Sequence, residues 1–329
     1  MTSVRSVLRV LACTLPALAG MLSAPAAAQA WPSKPLRWIV PFPAGGGTDS
    51  TSRVFVQKLS ENIGQPVIVD NRPGGGTIIG SELAARAPAD GHTVLMVTDF
   101  HSINAASGMK LPYDSQRDFT FVSRLVDLPW IMVATPGSKL GSVRDLVSAA
   151  RARPGALGFA SLGPSSPHFL AFEWFKRVAG IEVLDVPYKG TAAATTDFLG
   201  GQVNLTWMGV PNALRFAGEG KAVMLGVTSE KRHPLASAVA AIAEEHPEFV
   251  ISTWYGMAAP AGLPREIATR MSAEFLRVLR DASVVEKLAP TGVYPAHLGP
   301  EEFAVFMRRD MERYKRMIEI AGVKLENFR

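Results

Sequence analysis

Two triple-glycine runs are the residues best placed to do chemistry in this sequence. Gly45-Gly46-Gly47-Thr48-Asp49 follows the apolar run Leu36–Val40, and Gly74-Gly75-Gly76-Thr77 follows Val67-Ile68-Val69. Each reads as a buried strand turning through glycine into a helix start. The first N–H groups of a helix lack intrahelical partners, and the helix dipole adds positive potential there. Strand, glycine turn and helix start therefore gather open backbone donors around one concavity, which suits an anion. Two such turns facing each other would hold a small carboxylate. For each run taken alone, a tight turn without a ligand is the other reading.

Nucleotide phosphate is the first rival anion. A P-loop needs Gly-Lys-Ser/Thr after its glycines, and this chain has Gly47-Thr48-Asp49. The dinucleotide spacing G-x-G-x-x-G fails too, because Gly45 and Gly47 are followed by Ser50, and Gly74 and Gly76 by Ile79. A carboxylate at Asp49 would also repel pyrophosphate. No cofactor is expected.

Hydrolysis is the second rival. Ser165, Ser166 and His168 invite a triad, but Gly163-Pro164-Ser165-Ser166-Pro167 is not the G-x-S-x-G elbow. A histidine this close to a serine packs or caps more readily than it acts as base. The other histidines have no metal-ligand spacing, and Glu245-His246-Pro247-Glu248 reads as a surface turn. Neither a metal nor a catalytic residue is expected.

What remains is a set of neutral donors. The first half of the chain offers the backbone of Gly45, Gly46, Gly47 and Thr48, that of Gly74, Gly75, Gly76 and Thr77, and the hydroxyls of Thr98 and Ser102. The second half offers Ser161, Ser165, Ser166, His168 and Thr191. Each helix terminus contributes ~0.3–1 kcal/mol to anion binding, more when partly buried, a scale that suits reversible capture.

The elements that must position these donors are legible as repeated strand–turn–helix units. Strands at 36–40, 67–69 and 93–97 alternate with helices at 50–62 and 78–86. Strands at 119–125 and 130–135 follow, then a helix at 142–152 with Ser142 as N-cap. A second series has strands at 158–160, 183–186, 205–208 and 223–228, with helices at 169–178 and from Thr191 to Leu199. A strand at 250–259 and amphipathic helices at 265–280 and 300–321 close the chain. This is an α/β pattern with ligand loops at strand C-termini. Crossings near Asp127 and Ser252 divide it into a first lobe at 31–127, a second lobe at 128–251 and a return segment at 252–329.

Residues 1–30 read as an export leader. Arg5 and Arg9 precede the apolar stretch Val10–Met21, which is short for a membrane span, and Ala28-Gln29-Ala30 fits a cleavage site. An uncleaved membrane anchor is the alternative. Cys13, the single cysteine, lies inside the apolar stretch, so the mature chain from Trp31 has no thiol, disulfide or thiolate site. Removing Arg5 and Arg9 from 34 basic residues leaves 32 against 29 acidic, or +3. The cluster Arg308-Arg309, Arg313, Lys315-Arg316 alternates with acids and apolar residues as a solvated helix face does, so no nucleic acid is expected. The remaining ~300 residues suffice for two lobes.

Several stretches resemble one family. They include Trp31-Pro32-Ser33-Lys34-Pro35, Val40-Pro41-Phe42-Pro43-Ala44-Gly45-Gly46-Gly47-Thr48-Asp49, Asn71-Arg72-Pro73-Gly74-Gly75-Gly76 and Ala89-Asp90-Gly91-His92-Thr93. Others are Leu111-Pro112-Tyr113-Asp114, Val186-Pro187-Tyr188-Lys189-Gly190, Leu199-Gly200-Gly201-Gln202-Val203 and Trp254-Tyr255-Gly256-Met257-Ala258-Ala259-Pro260-Ala261-Gly262. In order along the mature chain, they are similar to the periplasmic substrate-binding proteins of the tripartite tricarboxylate transporter system, the Bug family.

The resemblance implies a two-lobed, type II-like Venus flytrap with two crossover connections, exported to the periplasm and not an enzyme. It implies that a carboxylate is held by backbone amides, often with ordered waters, of loops matching Phe42–Asp49, including Ala44, and Asn71–Ile78. The second lobe's loops match Ser161–His168 and Tyr188–Thr191. The partners implied are a small mono- or dicarboxylate and membrane permease subunits; a receptor docking on a sensor-kinase ectodomain is the alternative. The chain departs from the family where Met208-Gly209-Val210-Pro211 replaces an Asp- or Asn-rich segment, and where Leu235-Ala236-Ser237-Ala238 replaces the family's usual Asp/Val-Pro-Thr stretch after Lys231-Arg232. The first change suggests that Trp207, Met208 and Phe100 face an apolar or aromatic ligand body.

Overall fold

Apolar residues on both sides of one strand begin the architecture. In β1 (Leu36–Val40), Leu36, Trp38 and Val40 pack into one core cluster and Ile39 into another on the opposite face. That alternation is what a strand covered by helices on both sides requires. The computed structural model describes residues 31–164 and 166–325. After β1 come α1 (Gly47–Ile63), β2 (Val67–Asn71), α2 (Ile78–Ala85), β3 (Thr93–Thr98) and α3 (Asp99–Ala106). β1 pairs in parallel with β2 on one side and β3 on the other.

β4 (Phe119–Leu128) ends this part, and β5 (Trp130–Ala134) already belongs to the second sheet. The second series is α4 (Val143–Ala152), β6 (Gly158–Ser161), α5 (Pro167–Ala179), β7 (Leu184–Pro187), α6 (Thr191–Leu199), β8 (Leu205–Gly209), α7 (Val210–Gly218) and β9 (Val223–Val227). The chain returns through β10 (Thr253–Pro260), α8 (Arg265–Leu279), α9 (Ala282–Leu288), β11 (Tyr294–Leu298) and α10 (Pro300–Ala321). Ser142 caps α4 as expected, its hydroxyl accepting the Asp145 N–H at 3.1 Å.

The sheets have orders β11-β4-β10-β3-β1-β2 and β7-β6-β8-β5-β9. Each contains a parallel triple whose first strand is central, followed by an antiparallel strand delivered by a crossover, β10 in one and β5 in the other. The register places the ligand loops. Thr98, ending β3, lies opposite Tyr255 near the start of β10; Gly209, ending β8, lies opposite Trp130, which opens β5. Both crossovers therefore enter their sheets at the edge where the parallel strands end. α/β sheets place their ligands at that edge.

A hydrogen bond ties the two crossovers together: Ser252 Oγ donates to Asp127 Oδ1 at 3.1 Å, and Arg124 pairs with the same carboxylate. α10 does not stay with the first lobe, although the sequence reading placed all of 252–329 there. Phe303 and Met307 pack into the first lobe's core, while Tyr314, Met317 and Ile318 join the second lobe's cluster around Trp207 and Phe249.

Sequence reading missed α7, α9 and β11. α7 carries Pro211 in its first turn, which reads as a strand-ending turn. β11 is an edge strand containing Pro295, with an irregular register against β4.

Candidate functional site

The loop from Phe42 to Thr48 is held by one carboxylate. Asp49, 3% exposed, accepts the Gly45 N–H at 2.9 Å, Arg53 Nε at 2.9 Å and Asn71 Nδ2 at 3.1 Å. Asn71 also donates to the Phe42 carbonyl at 3.1 Å. Gly45 sits at φ +83, a conformation glycine adopts without steric cost. The hydrogen bond from Arg53 chiefly holds the Asp49 carboxyl below its ordinary range. Asp49 is thus spent on positioning the loop.

The same arrangement leaves the start of α1 open. Its N-cap is Gly46, which has no side chain to accept a hydrogen bond, and Gly46 and Gly47 are exposed. The N–H groups of Gly47 and Thr48 fall in the first turn, beyond the reach of i→i−4 bonding. The cations beside the two glycine turns are engaged elsewhere: Arg53 by Asp49 and Arg72 by Asp70 at 2.8 Å.

The second glycine turn is built differently. Gly74, Gly75, Gly76 and Thr77 all have positive φ, Thr77 at +81. The winding lets the first donors of α2 close on their own loop: Ile78 N–H bonds the Gly75 carbonyl at 3.2 Å and Ile79 N–H that of Gly74 at 3.4 Å. Asn104, on α3 and 1% exposed, clamps the turn by donating to the Gly76 carbonyl at 2.8 Å and to Thr77 Oγ1 at 3.2 Å. Any donors for a ligand here are the N–H groups inside the left-handed run, not the helix end.

Thr98 is the N-cap of α3, its hydroxyl accepting the Phe100 N–H at 3.3 Å. Asp99 is buried beside it, accepting the Phe100 N–H at 3.0 Å and the Thr253 hydroxyl at 3.1 Å. Burial, and then the charge of Asp310, push its pKa up to about 7. Ser102 is fully buried within α3. The rings of Phe42 and Phe100, both half-buried, meet edge to face at 5.9 Å and form an apolar wall at this end of the lobe.

In the second lobe most candidate hydroxyls are already engaged. Ser166 caps α5, accepting the Phe169 N–H at 3.1 Å and donating to the Gly163 carbonyl at 2.7 Å. Ser161, fully buried, accepts the Gly163 N–H at 3.2 Å. Tyr188 donates to Asp197 at 2.9 Å. His168 packs its ring against Trp130 at 4.6 Å, and burial lowers its pKa to about 4, so it is uncharged at neutral pH. α6 is the exception: its N-cap is Gly190, without a side-chain bond, and Thr191 in its first turn is exposed. α1, α6 and α7 thus each begin at a glycine with no side-chain cap bond, in βα loops at strand C-termini.

The order of both sheets and these loops agree with the comparisons to known proteins. Residues 51–323 match the model of the tripartite tricarboxylate transporter family receptor, TctC. The chain belongs to that receptor family. It is 34% identical over 310 residues to the protein BugT of Bordetella pertussis, covering 93% of this chain and 94% of that protein. Among solved structures it is similar to R. palustris Rpa4515 with adipate, at 33% identity and TM-score 0.73, covering 89% of this chain and 98% of that one. It is also similar to MatC (Rpa3494) from Rhodopseudomonas palustris with bound malate, at 26% identity and TM-score 0.68, covering 87% and 99%. The fold is that of two-lobed periplasmic binding proteins. No helix among the described residues is long and apolar enough to cross a membrane.

Within this receptor, two expected residues lie outside the cleft-facing set, and one lies outside the described residues. Met208 is buried, packed in a core cluster with Ile131 and Val210, so it does not present its side chain to an open cleft. Trp207 is likewise buried, its indole N–H donating to the His168 carbonyl at 3.1 Å. An apolar face comes instead from Phe42 and Phe100. Ser165 and the leader at 1–30 lie outside the described residues.

Tyr255, which the sequence does not single out, also reaches this end of the lobe. Its ring packs in the first lobe's core, and its hydroxyl reaches the start of α1: a Cβ built on Gly47 would lie 3.7 Å from the phenol oxygen. The signal available was the run Trp254-Tyr255-Gly256, which reads equally as buried strand. Surface grooves of about 410 Å³ beside Arg151 and Lys176, and about 840 Å³ beside Trp174 and Arg309, contain none of these loop residues.

Proposed function

We propose that this receptor captures a small mono- or dicarboxylate between its lobes and delivers it unchanged to the permease subunits of a tripartite tricarboxylate-type transporter. The observation that carries the reading is the uncapped, exposed N-terminus of α1, locked in place by Asp49 yet without an acceptor among the described residues. A carboxylate oxygen there meets the Gly47 and Thr48 N–H groups and the positive end of a 17-residue helix. The open end of α6 on the opposite lobe serves a second carboxylate or the closing contact. Neutral donors suit release, because no buried cation has to be left unpaired when the acid departs.

The related structures carrying adipate and malate support a carboxylate as the solute. The Phe42–Phe100 wall favours an acid with an apolar stretch, such as adipate, over a heavily hydroxylated one. Export to the periplasm with removal of residues 1–30 belongs to the same reading. Thermal-shift and calorimetric titration with adipate, malate and benzoate tests it. Saturable stabilisation by at least one acid, without turnover by mass spectrometry, is expected; no binding of any of the three, or conversion of the acid, overturns it.

A further inference from the structure

We propose that Tyr255 is a ligand-contacting residue of this receptor, its hydroxyl donating a hydrogen bond to the carboxylate held on the open end of α1. The inference rests on the carboxylate reading of that end. Two independent observations meet at one point. The first is the helix terminus with no side-chain cap at Gly46. The second is a phenol whose residue is only 8% exposed, which no described protein group hydrogen-bonds, and which lies 3.7 Å from where a Cβ on Gly47 would sit.

The strand is shaped to aim this side chain. Tyr255 lies opposite Thr98 in β3, which puts it at the edge where the parallel strands end. Between Tyr255 and Gly256 the register against β4 shifts, and such bulges redirect a side chain. Gly256 is required there, because a Cβ would run into the Phe303 ring. The ring is fixed by its core neighbours, so the hydroxyl is pre-positioned at little entropic cost. Burial, and then the charge of Asp99, raise the phenol's pKa, so it remains a protonated donor across the physiological range.

A phenol at this place favours a carboxylate over an uncharged isostere, since a hydrogen bond to an ion is roughly twice as strong as one to a neutral acceptor. It also makes the donor set at α1 part backbone and part side chain, so a single substitution can test it.

The experiment compares wild type with Tyr255→Phe by calorimetry against adipate, malate and benzoate, with the ligand-free melting temperature measured alongside. Phe keeps the ring in the core and removes only the hydroxyl. The expected result is an affinity about ten-fold or more lower for every acid that wild type binds, by a similar factor for each, because the carboxylate is what they share. The ligand-free melting temperature should stay within about 2 °C. Unchanged affinity overturns the proposal. So does a loss that varies with the body of the acid and accompanies a marked fall in melting temperature, which would mark the ring as packing only. If wild type binds none of the three acids, the carboxylate reading itself fails and this inference falls with it.

Discussion

The Asp49 carboxylate accepts the Gly45 N–H at 2.9 Å, so the helix that presents open donors also fixes the loop leading into it. Arg53 and Asn71 complete the acceptor's environment. Asp49→Ala should lower stability by ~1–3 kcal/mol, because three donors lose their acceptor at once, and should weaken acid binding by freeing the Gly45 turn. Chemical denaturation and calorimetry on the same variant check both. Because its folded pKa is depressed, Asp49's contribution is present above about pH 4 and disappears as pH falls through the lowered value. The difference between wild type and variant should therefore shrink in acid.

The second glycine turn depends on Asn104 in the same way. Asn104→Ala removes the donors to the Gly76 carbonyl and Thr77 Oγ1, while Thr77 still has to hold a positive φ. A loss of ~2 kcal/mol is expected, with faster amide exchange confined to residues 74–79. Exchange by mass spectrometry would show uniform protection instead if the left-handed run is stable on its own.

Ser166 was a ligand candidate on sequence grounds, yet its hydroxyl is occupied at both ends by α5 and Gly163. Ser166→Ala should cost ~1 kcal/mol of stability, as loss of an N-cap does, and leave acid affinity within about two-fold. A loss of affinity without a loss of stability would return the hydroxyl to the binding site.

Asp99 gives the protein a pH dependence of the opposite sign to Asp49. Burial first, then Asp310, raise it from its ordinary 3.8 to about 7. The folded state holds this proton after the unfolded chain has lost it. Its contribution is full below about pH 4 and is lost as pH rises through about 7. Asp310, Arg313, Tyr255 and Tyr314 are the charged or titratable groups around it. Asp99→Asn should raise stability near pH ~8 by ~1–3 kcal/mol and flatten the decline in melting temperature between pH ~5 and ~8. An unchanged pH profile would show that Asp99 ionises freely.

Strand–turn–helix units were legible because they rest on local signals: apolar runs, glycine turns and caps such as Ser142. α7 was not, because Gly209 and Pro211 read as a strand-ending turn, yet proline is well tolerated in a helix's first turn. By sequence Met208, an apolar residue at a strand end, fits a cleft and a core equally well. The fold places it against Ile131 and Val210.

By itself the sequence determined that Gly46 and Gly190 have no side chain to offer a backbone donor; that Gly209 opens α7 in the same way took the structure. The sequence also determined that no thiol follows Trp31. Only the tertiary structure decided which hydroxyls were already committed, that Asp49 reaches back to Gly45 and across to Asn71, and that Tyr255, about 200 residues beyond Gly47, arrives beside it. Hydrogen-bond capacity is a property of residue type. Whether it is left over for a ligand depends on which groups the folded chain brings within three ångströms or so, and that distance is set by sheet register and packing.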